Sequence, residues 1–231
     1  MKDNYTHICI VLDASGSMAC VENETKSSFN SFIREQQNAP GEATLDMYQF
    51  ADESAKIIDF ADLGRLQKNL MDKYHCHGCT ALNDAVCRAI DETGRKLASM
   101  REEERPSKVL FAILTDGEEN ASRRFTNAHV KQRIRHQTEA YSWVFIFLGA
   151  NQDAFATGGE MGISADMCLN VDAGTSEGVA RTARILGQVA YCYRSAAPSC
   201  DAPGIVLSDI ADEVDAGSRP KGRRKQGKSC R

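Results

Sequence analysis

Asp13, Ser15 and Ser17 form an Asp-x-Ser-x-Ser run where the apolar stretch Ile8-Cys9-Ile10-Val11-Leu12 breaks off. One carboxylate and two hydroxyls at alternating positions are hard oxygen ligands, the type that suits Mg²⁺ rather than a soft metal. Gly16 between the two serines is expected to let the backbone turn tightly, so that both hydroxyls aim at one spot. Two more oxygen donors stand far along the chain. Thr80 precedes a long helical pattern, and Asp116 follows a second apolar run, Val109 to Leu114. Both runs are too short for helices and apolar on both faces, which predicts central strands of a buried, parallel sheet. In such sheets ligands bind outside the carboxyl ends of the strands, where these oxygens would stand. The plainer alternative is that the serines and Thr80 only cap helices, a role that gives Asp116 nothing to do.

Other residue types offer other chemistry. His75-Cys76-His77-Gly78-Cys79 has the ligand types of a zinc site, yet no second Cys or His pair follows to close a four-ligand shell. We therefore read the stretch as a loop in which Gly78 and Cys79 place Thr80. Glu118 or Glu119 would be a base if a metal-bound water were a nucleophile, but two hydroxyls with two carboxylates do not resemble a hydrolytic two-metal cluster. His7, His129 and His136 have no spacing that suggests a relay. Nine cysteines at scattered spacings argue against a disulfide framework; Cys9, Cys87 and Cys192 fall in apolar or helical patterns, as small hydrophobes do.

Taken in order, Asp13-x-Ser15-x-Ser17, Thr80 and Asp116 resemble the von Willebrand factor type A domain and its metal-ion-dependent adhesion site. The resemblance covers about residues 5–195 and implies a non-enzymatic, Mg²⁺-dependent protein-binding module, with Mn²⁺ or Ca²⁺ as substitutes. Ser15, Ser17 and Thr80 would hold the ion directly, with Asp13 and Asp116 acting directly or through water. A Glu or Asp of a partner protein would complete the shell. The stretches Thr115 to Ser122 and Phe147 to Asp153 look most like stand-alone prokaryotic and bacteriophage members. Many such domains are adaptors in multiprotein or AAA+ ATPase assemblies.

The elements that must position these residues can be read from periodicity. Helical patterns span 21–37, 63–74, 81–100, 128–141, 153–162 and 175–195; strands are expected at 43–50, 55–60, 109–114, 143–149 and 165–171. The short connection between 43–50 and 55–60 predicts an antiparallel hairpin. The expected fold is α/β: a doubly wound, Rossmann-like, mainly parallel sheet with one antiparallel edge strand and helices on both faces. We assign residues 1–195 to this domain, 196–217 to a linker with room for a short helix, and 218–231 to a basic tail. That tail holds seven of the 28 Lys and Arg residues and no acid, which leaves 21 basic against 32 acidic residues in the body. Such a tail on an acidic body offers an alternative function, a tether to nucleic acid or a membrane surface. It carries no aromatic residue to stack on bases. A charged fraction of 26%, no long apolar span and an N-terminus that enters a strand almost at once lead to a cytoplasmic expectation.

Overall fold

A computed structural model of the protein describes residues 1–66, 70–150, 153–196 and 205–218. The segment 197–204 of the expected linker and residues 219–231 of the expected tail lie outside the described residues. Six strands form one sheet in the order β3-β2-β1-β4-β5-β6. They are β1 (Lys2–Asp13), β2 (Glu42–Phe50), β3 (Ser54–Asp62), β4 (Pro106–Thr115), β5 (Val144–Gly149) and β6 (Cys168–Asn170). All neighbours are parallel except β2 and β3, which pair antiparallel at one edge.

The alternation of side chains along β1 builds two cores. Ile8, Ile10 and Leu12 point to one face, where α1 (Glu22–Gln37), α5 (Ser176–Ser195) and α6 (Leu207–Ser218) pack. Cys9 and Val11 point to the other, against α2 (Leu82–Ser99) and α3 (Asn127–Tyr141), with α4 (Ala154–Glu160) beside β5 and β6. The same split runs through β4, with Leu110, Ala112 and Leu114 on the first face and Phe111 and Ile113 on the second. Both faces are covered, so these strands read as continuous apolar runs.

The structure differs from the sequence expectations at 63–74 and 165–171, and it sharpens them at the start of the first strand and in the helix expected at 153–162. Among the described residues of 63–74 the chain forms 3₁₀ turns at Leu63–Arg65 and Leu70–Lys73; the Asp62 carboxylate accepts the Gly64 N–H and fixes the first as a tight turn. The first strand begins at Lys2, because Lys2 N–H reaches the Arg105 carbonyl across a bulge at which Asn4 takes φ 58°. Helix α4 runs through Gly158 and Gly159 to Glu160, and Gly158 is the residue that lets it approach Cys168, whose Sγ would stand 2.3 Å from an added Cβ. The expected strand 165–171 is a 3₁₀ turn, Ala165–Met167, followed by the three residues of β6. Beyond α5, Ile205, Leu207, Ile210 and Ala211 are buried in the first core, and Arg181 of α5 holds Asp215 of α6 through two hydrogen bonds of 2.7 and 2.9 Å.

Candidate metal centre

The order 3-2-1-4-5-6 reverses direction between β1 and β4. The connection after β1 leads toward β2, and the one after β4 leads toward β5, so the two loops part and leave a crevice at the sheet's carboxyl end. Asp13 closes β1, and Asp116 follows directly on β4. Both are buried, at 1% and 5% exposure.

Ser15 and Ser17 stand where β1 turns into the 3₁₀ segment Gly16–Val21. Their hydroxyl oxygens are 3.0 Å apart. The Ser17 hydroxyl donates to Asp116 Oδ1 at 2.9 Å and that of Ser15 at 3.4 Å. Three oxygens from segments about a hundred residues apart thus form one small triangle. Asp13 stands beside it: its Oδ1 accepts the Ser15 N–H at 2.8 Å and its Oδ2 the Thr115 hydroxyl at 2.6 Å. Burial raises the Asp13 pKa, hydrogen bonds from Thr115 and Ser15 oppose the rise, and the nearby Asp116 charge adds to it.

Thr80 arrives on a loop sewn to the serine turn. His77 N–H donates to the Ala14 carbonyl at 2.8 Å, Gly16 N–H to the Gly78 carbonyl at 3.0 Å, and the Tyr74 hydroxyl to the Asp13 carbonyl at 2.5 Å. Gly16 lies close to this loop, where an added Cβ would stand 3.3 Å from the Gly78 oxygen, a tight contact. Gly78 has φ +66°, and a Cβ there would lie 1.9 Å from Asp52 Oδ2. Thr80 is 4% exposed, and its Oγ1 lies 3.4 Å from where a Cβ on Gly117 would stand, which puts the hydroxyl beside the Asp116 loop. The residue flanking α2 as its N-cap is Ala81, with no side-chain cap, so Thr80 does not serve that helix as a cap. All five sequence-named positions come to one pole of the molecule. Sequence reading missed Thr115, Tyr74 and Asp52, which hold the site from behind; a hydroxyl directly before Asp116 was the one signal in view.

The zinc alternative finds no shell. Among the described residues no three His, Cys, Asp or Glu side chains group to hold a metal. His75 instead faces Glu22 at 3.4 Å, and the Cys76 N–H donates to the same carboxylate at 3.0 Å. Glu119 is also committed: its two oxygens accept the N–H groups of Asn83, Ala121 and Ser122 and the Ser122 hydroxyl.

The donor set fits a small hard cation. An octahedron with oxygens at 2.0–2.1 Å has adjacent oxygens about 2.8–3.0 Å apart, a spacing that two of the three triangle edges already hold as hydrogen bonds. No helix among the described residues is long and apolar enough to cross a membrane.

A sequence model of the von Willebrand factor type A domain matches residues 7–161. Among solved structures, proximal thread matrix protein 1 of the mussel byssus superposes with a TM-score of 0.60 at 15% identity, over 83% of this chain and 48% of that one. The same mussel protein with zinc in its metal-ion-dependent adhesion motif gives 0.58 at 16% identity, over 81% and 46%. The open conformation of the pilus adhesin SpaC from Lactobacillus rhamnosus GG gives 0.58 at 12% identity, over 83% and 30%. The chain therefore spans less than half the length of these structures, and at such identities they show the fold. No curated protein sequence matches it. With that family model matched over residues 7–161, this chain belongs to the von Willebrand factor type A domain family.

Proposed function

We propose that the chain is a protein-binding module whose contact is a divalent cation, Mg²⁺ first among the candidates, held by Ser15, Ser17, Thr80 and Asp116 with Asp13 behind them. The observation that carries this reading is the oxygen triangle of Ser15, Ser17 and Asp116 at the switch point of the sheet. When bound, the ion supplies a Lewis-acidic contact for a carboxylate from outside. The chain's own groups prepare that contact. Ser17 is exposed while Ser15 and Asp116 are buried, so the site is reached from one side only. Asp13, with both oxygens already accepting hydrogen bonds, suits a place behind the inner shell and contributes charge at a distance. Few negative ligands leave a dication able to attract one more, and a Glu or Asp of a partner protein is the matching group. Desolvation at such a contact fixes orientation as well as affinity.

Binding rather than catalysis is further supported by Glu119, whose hydrogen bonds leave it no proton to take. The likeness of Thr115 to Ser122 and Phe147 to Asp153 to stand-alone prokaryotic and bacteriophage domains supports a cytoplasmic adaptor within a multiprotein or AAA+ ATPase assembly. The zinc-bearing motif of the mussel protein supports a divalent site of this kind. The test is capture of partners by tagged protein in Mg²⁺ and in EDTA, with Asp116→Ala and a variant whose tail lysines and arginines are serines. Capture that needs Mg²⁺ and Asp116 supports the reading. Capture that ignores EDTA and fails with the neutral tail replaces it with the tether.

A further inference from the structure

The loop after β4 and the first turn of α2 exchange caps. Asn120 holds the Thr80 peptide from both sides: its Oδ1 accepts the Thr80 N–H at 2.9 Å, and its own N–H donates to the Thr80 carbonyl at 3.1 Å. Glu119 Oε2 accepts the Asn83 N–H at 2.8 Å, and the Ser122 hydroxyl accepts the Asp84 N–H at 3.0 Å. In return the Asp84 carboxylate accepts the N–H groups of Arg123, Arg124 and Phe125 at 2.8–3.3 Å. The free amides of a helix start are thus satisfied by the very loop that carries Asp116. A carboxylate there is also favoured by the helix dipole.

We propose that this clasp, with Asn120 and Glu119 as positioning residues, sets the metal selectivity of the site by fixing Thr80 against Asp116. The inference rests on the metal-binding reading above. Thr80 lies next to the peptide that Asn120 grips, and Asp116 lies four residues before Asn120, so the two donors cannot part while the clasp holds. The serine turn is locked to the same loop through Gly16 and His77. A frame tied on both sides suits an ion that demands near-ideal octahedral geometry at 2.0–2.1 Å; Ca²⁺, at 2.3–2.6 Å with six to eight ligands, tolerates a looser one. Releasing the clasp therefore costs Mg²⁺ more than Ca²⁺.

The test is calorimetric affinity for Mg²⁺ and for Ca²⁺ in the full chain, with Asn120→Ala, Asn120→Asp and the isosteric Glu119→Gln. Asn120 is exposed, so its side chain can be removed without opening the core. We expect Asn120→Ala and Glu119→Gln to weaken Mg²⁺ by about tenfold or more while Ca²⁺ changes by less than about threefold. Asn120→Asp, which keeps the acceptor for the Thr80 N–H, should restore most of the ratio. Hydrogen exchange at the Thr80 amide should quicken in Asn120→Ala. A merely structural role would lower the melting temperature and weaken both ions alike, which overturns the proposal, as does an unchanged ratio. Wild-type protein that binds neither ion overturns the metal-binding reading and the selectivity with it, whereas a binding wild type with unmoved variants overturns the selectivity alone.

Discussion

Asp13→Asn separates the charge at the site from its architecture. The Asp13 oxygens accept from Ser15 N–H and from the Thr115 hydroxyl. An asparagine amide keeps one acceptor for Ser15. Its nitrogen then faces Thr115, whose hydroxyl also lies 3.0 Å from the Gly117 carbonyl. That hydroxyl can turn to donate to Gly117 and accept from the new amide, so no buried group is orphaned. Two charge-assisted hydrogen bonds become neutral ones, a loss of about 1 kcal/mol each, offset in part by removing a buried charge beside Asp116. Without metal the variant should melt within about 2–4 °C of wild type. Metal changes the comparison. A ligand at about a hundredfold excess over its Kd stabilises the native state by about 2.7 kcal/mol, which for a domain of this size raises Tm by about 5–10 °C. Circular dichroism melts in MgCl₂ and in EDTA at matched ionic strength should show that rise in wild type and a small fraction of it in Asp13→Asn. An equal rise in both proteins, or none in wild type, refutes the reasoning.

Three further outcomes can be checked. Gly78→Ala meets both a left-handed backbone and the Asp52 carboxylate, so we expect a loss of more than about 1 kcal/mol in chemical denaturation together with weaker Mg²⁺ binding. Asp46 is fully buried; burial alone would raise its pKa, but the His7 ring, the Phe60 N–H and Lys56 outweigh it and hold the carboxyl below its usual value. Its contribution is therefore present above the unfolded pKa of about 3.9 and is lost as pH falls through the folded value; Asp46→Asn should flatten that acid limb and cost about 1–3 kcal/mol at neutral pH by weakening the contacts to Lys56 and the Phe60 N–H, Lys56 keeping its pair with Asp59 at 2.9 Å, as denaturant titrations across pH would show. Leu207→Ala, at a fully buried position of α6, should cost about 2–5 kcal/mol in the same assay, and a change under about 0.5 kcal/mol would show that α6 is not part of the cooperative unit.

The sheet and most helices were legible because Ile8 to Leu12, Val109 to Leu114 and Trp143 to Leu148 are apolar beyond what a half-exposed strand tolerates, and because α2 and α5 keep strict helical spacing. That Asp13, Ser15, Ser17, Thr80 and Asp116 belong together could be argued in the sequence from oxygen donors at strand ends, and the structure brings all five to one pole. What could not be read is whatever depends on pairing across the chain. Leu66, Leu70 and Met71 mimic a helical stripe, yet the Asp62 cap on Gly64 decides that region. Glu119 reads as a free acid until Asn83, thirty-six residues earlier, is seen to donate to it. His7 shows the same limit. In sequence it is a lone histidine, and in space its Nδ1 meets Thr44 at 3.0 Å while its Nε2 stands 3.5 Å from Asp46, too far for a hydrogen bond.

The triangle of Ser15, Ser17 and Asp116 has a kinetic consequence. Ser17 and Asp116 are 99 residues apart in the chain, and they meet only after β4 has slotted beside β1. An ion gains nothing from a chain in which one of those segments is still loose, because closing so long a loop must precede any coordination. Metal therefore cannot guide this fold toward its native state. An ion bound there would act as a late latch, slowing the rate at which the finished molecule opens while leaving the rate of refolding as it was.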